Sequence, residues 1–126
     1  MAIRKFSVTV VTGTATGTGY SPYFSGYIDS IQYVKDGSNG YSDGVDFTIT
    51  AEATGETLWT QSDVNAAATK YPRAATHSTA GVAATYDGTR AVLDRIALGR
   101  DRVKVAIAQG GNGKTGTFVI AVDDGR

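Results

Sequence analysis

Val45-Asp46-Phe47-Thr48-Ile49-Thr50-Ala51-Glu52 alternates apolar with polar residues over its whole length. Strand side chains point to opposite faces in turn, so this period of two places Val45, Phe47, Ile49 and Ala51 on a buried face and the polar four toward water. Thr54-Gly55 then turns the chain into residues 56–60, which carry Leu58 and Trp59, and the two runs read as a β-hairpin.

Similar patterns flank it. Upstream, Phe6, Val8 and Val10 alternate with Ser7 and Thr9. Residues 27–34 read as a strand with Ile28, Gln32 and Val34 on one face and Tyr27, Asp29, Ile31 and Tyr33 on the other; apolar content on both sides indicates a covered sheet. Residues 12–20 are rich in Thr and Gly with nothing large to bury, which suits an edge strand or a loop. Residues 36–44 are dense in Asp, Gly, Ser and Asn and divide strands as a surface loop. Downstream, residues 91–98, 102–109 and 115–122 read as a three-stranded antiparallel meander, joined by a Gly99-Arg100 turn and a glycine-rich hairpin turn at 110–114. Val103, Val105 and Ile107 share one face of this unit, and Phe118, Ile120 and Val122 supply a matching one.

Seven or eight such strands predict an all-β chain, folded as one domain over residues 1–126. The expected architecture is a two-sheet antiparallel β-sandwich, with a jelly roll as one way to wind it and a closed barrel as the alternative. Phe6, Val8, Ile28, Phe47, Ile49, Trp59, Val105, Ile107, Phe118 and Ile120 are expected to line the core. Between 61 and 89 the alternation fails. Ala66-Ala67-Ala68 has propensity for one or two helical turns, Tyr71-Pro72 ends them, and Ala/Thr-rich chain follows. The segment is expected to be one long irregular loop or arm, because its small side chains bury too little to order it alone.

The chain has 126 residues and 13.1 kDa, enough for one core. Acidic and basic residues balance at 12 each, so no net field favours nucleic acid or an anionic membrane. The chain has no cysteine, hence no disulfide framework, thiolate nucleophile or Cys-rich zinc site. Ser7, Thr9 and Thr12 interrupt the first apolar stretch, so neither a signal-peptide core nor a membrane span is read, and synthesis in the cytoplasm is expected.

No catalytic pattern emerges. Gly110-Gly111-Asn112-Gly113-Lys114-Thr115 ends like a phosphate-binding loop, but Ala108 stands where the first glycine belongs and strand-like residues follow. His77 is the sole histidine, and neither Ser78 nor Ser62 has the context of an activated nucleophile. Asp36, Ser38, Asp43 and Asp46 lack the ligand order of a calcium loop and read as solvated turn residues. Tyr20, Tyr23, Phe24 and Tyr27 form an aromatic cluster suited to core packing, a sugar ring or a protein partner. The expectation is a non-enzymatic protein without cofactor or metal.

The segments 26–33, 44–50, Leu58-Trp59 and the glycine-rich turn into Gly116-Thr117-Phe118 resemble the small all-β structural proteins of tailed bacteriophage virions, most of all capsid decoration and cement proteins. The similarity covers most of the chain from Tyr23 onward and rests on strand patterns and turn glycines. It implies a virion component assembled in the host cytoplasm, a homo-oligomer bound to the major capsid protein or other virion proteins. A head-to-tail connector or tail component, and a carbohydrate-binding β-sandwich using the Tyr20 to Tyr27 cluster or Trp59, are the alternatives. Contacts to neighbouring subunits are expected from 61–89, helped by 12–19. Tyr71, Pro72 and Arg73 are the expected anchors, with His77, Tyr20 and Tyr23 as further partner-binding residues.

Overall fold

The computed structural model describes residues 2–124, and every regular element among them is a β-strand. The strands are β1 (Ile3–Val11), β2 (Gly17–Tyr20), β3 (Phe24–Lys35), β4 (Val45–Ala51) and β5 (Thr57–Val64), then β6 (Ala68–Lys70), β7 (Arg73–Ala75), β8 (Leu93–Asp101), β9 (Val103–Ala108) and β10 (Thr115–Asp123). One sheet runs β1-β10-β3-β8-β7, with β6 also paired to β3, and the other runs β2-β9-β4-β5. All pairings are antiparallel. Apart from the short β6 and β7, consecutive strands alternate between the sheets except for the β4–β5 hairpin, with first beside last and second beside last but one. That order is the winding of a jelly roll, and the sandwich needs no barrel closure.

The β4 alternation decides the packing as read: Val45, Phe47, Ile49 and Ala51 are all buried. Phe47 is the hub, meeting Tyr33, Trp59 and Phe118 edge-on at centroid distances of 4.8, 5.3 and 5.0 Å, while Tyr33 stacks on Phe118 at 5.3 Å. Tyr41 completes the cluster and its hydroxyl donates to the Val10 carbonyl at 2.6 Å. Gly116 makes room for it: a Cβ there would lie 2.5 Å from the Tyr41 ring. At the sandwich edge, Gly19 does the same for Val8 and Val10, bringing β2 against β1.

Several expectations are corrected. Residues 91–122 do not form a meander, because β8 and β10 belong to one sheet and β9 to the other. The 110–114 segment is therefore an inter-sheet connection, held by bonds such as Gly110 N–H to Ala15 O and Gly113 N–H to Gly13 O. In β3, Ile28, Ile31 and Tyr33 are buried together while Gln32 and Val34 are exposed. The cause is a β-bulge: β10 pairs Ala121 with Ser30 and Val122 with Ile28, leaving Asp29 as an extra residue that reverses the alternation. Phe6 is only half-buried, stacked on Phe24 at 5.3 Å where the core ends.

The 61–89 segment is also not one loop. β5 continues to Val64, β6 pairs with Ile31 to Tyr33 of β3, and β7 pairs with β8. Ala68 opens a strand, not a helical turn. Backbone ladders supply the order that the small side chains lack, because the twelve-residue β3 is long enough to pair with both β8 and β6 along one edge.

Candidate functional site

The six candidate partner-binding residues fall into two regions. Tyr20 closes β2 opposite Lys104, and Tyr23 lies just before β3. Between them Ser21 is buried and fixes the corner: its N–H donates to the Val103 carbonyl at 3.0 Å and its Oγ accepts the Val103 N–H at 2.9 Å. Both rings gather around Arg102, whose guanidinium carbon is 4.0 Å from the Tyr20 centroid and 4.9 Å from that of Tyr23. Glu52 takes Arg102 in a bidentate pair, from Nε at 2.8 Å and Nη2 at 2.9 Å. That hydrogen bond holds the Glu52 carboxyl below its ordinary range and raises the guanidinium. Nearby, Arg95 lies over Tyr27 at 4.8 Å and donates to Asp123 at 2.9 Å.

Beside this aromatic edge opens a cleft of about 440 Å³, lined among others by Arg4, Phe6, Tyr23, Phe24 and Arg100. Arg4 is matched by Asp124, Nε to Oδ2 at 2.8 Å. The sequence drew attention to the tyrosines but not to Arg4, Arg95, Arg100, Arg102 or Glu52, which come from β1, β8 and the corners after β8 and β4 with no spacing in common. Trp59 is excluded as a sugar platform, since it is buried and its indole N–H donates to Gln61 at 3.0 Å.

The other four candidates lie along the opposite end of β8. Tyr71 is 63% exposed. Pro72 is buried, and Arg73 is clamped to its own domain, with Nη1 donating to the carbonyls of Asp29 and Pro72 at 3.2 and 2.8 Å. Pro72 thus offers little surface to a partner, whereas Arg73 stays exposed while the β3 bulge presents the Asp29 carbonyl to it. His77 is exposed and its backbone bridges Ala83; the adjacent Ser78 Oγ accepts the N–H groups of Ala80 and Val82 and so serves its own turn.

From 76 to 92 the chain leaves the sandwich as a lobe in which no residue is buried. Thr76 N–H donates to Val92 O, Val92 N–H to Ala84 O and Ala84 N–H to Thr76 O, at 2.9, 3.0 and 2.8 Å, a closed ring of three bonds. Two turns extend from it. In the second, Asp87 Oδ1 accepts the N–H groups of Arg90 and Thr89, which holds its carboxyl below the usual range. Val82 and Tyr86 are 65% and 64% exposed on this lobe, and Leu93 at its base 55%.

The acidic loop serves turns: Asp36 Oδ1 accepts the N–H groups of Ser38 and Asn39, and Asp46 Oδ1 that of Asp63. Among the described residues no three His, Cys, Asp or Glu side chains converge as metal ligands. No protein-family model, no curated protein and no solved structure matches the chain.

Proposed function

We propose that the protein is a non-enzymatic structural component of a virion, a decoration or cement protein that binds the major capsid protein or another virion protein through the 76–92 lobe. The observation that carries this reading is the lobe itself, which exposes Val82 and Tyr86, with Leu93 at its base, on a projection with no core of its own. Apolar side chains exposed in this way suit a protein contact, and tyrosine is a frequent hot-spot residue. The ring of backbone bonds preorganises the lobe, so docking orders less chain than a free loop would. A shell repeats each contact many times, so an individually weak one suffices. The jelly-roll winding does not choose among functions by itself.

Thr76 and Val92 are already hydrogen-bonded neighbours, so residues 77–91 can be replaced by an Asn-Gly turn that joins β7 directly to β8. The intact protein is expected to co-sediment with shells assembled from the major capsid protein of the same genome, and the lobe-less variant to remain in the supernatant with its sandwich folded. Co-sedimentation of that variant at the intact level would refute the assignment. Binding of the intact protein to tails in place of shells would move it to the connector or tail class.

A further inference from the structure

The cleft at the far end of β8 from the lobe has features that the shell reading does not use. Arg4 and Phe6 come from β1, Tyr23 from just before β3, Phe24 from its first position, and Arg100 from β8. The β3–β8 pairing slips here: Phe24 faces Asp101 and Gly26 faces Leu98, so Gly99 and Arg100 together oppose Ser25 alone. This bulge is held by the Arg100 N–H donating to Ser25 Oγ at 2.9 Å. Arg100 sits at φ 47°, in the left-handed region that a side chain other than glycine's occupies only at a cost. Bulges commonly re-aim a side chain next to a site, and this one sets a guanidinium on the cleft wall.

The charges select the ligand. The Arg4 charge is matched by Asp124, whereas Arg100 has no ion pair or side-chain hydrogen bond with any described residue. Among the described residues the cleft thus offers one unmatched guanidinium, whose planar fork fits a carboxylate. Phe6 stacked on Phe24 supplies an apolar floor. Arg102 covers one face of the Tyr23 ring, which is nevertheless 63% exposed, so the opposite face is left for a ligand. Ser25 also lines the wall, where its hydroxyl, which accepts the Arg100 N–H, can donate to a sugar hydroxyl. At about 440 Å³ the space suits a small ring-bearing molecule.

We propose that this cleft binds an acidic sugar of the uronic-acid type, its carboxylate on Arg100 and its ring against Tyr23 and Phe24. The site is independent of the lobe and survives its removal.

The full chain labelled with nitrogen-15 is titrated with methyl glucuronide, methyl glucoside and cyclohexanecarboxylate, and the amide shifts of Phe24, Ser25 and Arg100 are followed. The glucuronide is expected to shift them saturably in the millimolar range, and each of the other two probes to bind at least about tenfold more weakly, since each lacks one half of the recognition. Arg100→Gly removes the guanidinium while relieving the left-handed strain, so it keeps the fold and should lose about tenfold in glucuronide affinity. Tyr23→Ala should weaken the glucuronide and the glucoside alike. Undiminished glucuronide binding by Arg100→Gly, equal binding of either control probe, or the absence of shifts with the glucuronide would each overturn the proposal.

Discussion

The aromatic centre of the sandwich and the 76–92 lobe are ordered by different means. Around Phe47, five rings from four strands and one loop interlock at zero to a few percent exposure, so order there comes from burial. In the lobe nothing is buried, and a ring of three backbone bonds with two turns does the ordering. Exposed backbone bonds contribute little net free energy because water competes for them, whereas each buried large side chain contributes about 1.5–3 kcal/mol. The centre therefore holds the fold, and the lobe is free to present side chains outward.

Substitutions at the two sites test this difference. Phe47→Ala should cost about 3–5 kcal/mol in denaturant unfolding, since it empties the hub of the cluster, while Tyr86→Ala should change stability by less than about 0.5 kcal/mol. Comparable losses at the two sites would erase the distinction. Gly116→Ala should cost about 1–3 kcal/mol, because its Cβ would sit 2.5 Å from the Tyr41 ring, which cannot yield without losing its bond to Val10. Calorimetry with Gly116→Ala and with the open Gly113 carrying the same change separates packing from turn strain.

Smaller effects concern charge. Burial raises the Tyr41 phenol well above its ordinary value of 10.0, and Tyr33 is raised by the same cause. The folded state then keeps its protons where the unfolded chain has lost them, so this stabilisation is complete below about pH 10 and declines as pH rises beyond it. Tyr41→Phe should flatten the alkaline limb of a stability profile. The half-buried Glu52 pair should have the least effect: its carboxyl is lowered from 4.5, so its contribution is present above that value and fades as pH falls through the folded-state value. Glu52→Gln should remove only that shallow acid limb, and added salt should weaken it.

Legibility in the sequence followed the same divide. Val45 to Ala51 announces strand, facing and burial, because one face is wholly apolar and the period is two. Alternation says which way a residue faces but not which strand lies beside it, so the two sheet changes, from β8 to β9 and from β9 to β10, were invisible. Asp29 looks like any polar strand residue, and only its partner β10 shows it to be the bulge that turns Ile31 and Tyr33 inward. Tyr41 lies in a run of turn formers, yet Gly116, far along the chain, admits it to the core. The tyrosines of the aromatic edge were visible by type, while the arginines beneath them were not, since a cation–π contact made across strands leaves no spacing to read.

Hydrogen exchange on the free protein and on the virion particle proposed above tests whether the lobe is held by its own backbone until a partner covers it. In the free protein the amides of Thr76, Ala84 and Val92 should exchange orders of magnitude faster than those of Phe47, Ile49, Val105 and Ile120, and in the particle they should slow while the core amides stay unchanged. Lobe amides as slow as the core in the free protein, or equally fast in both states, would contradict it.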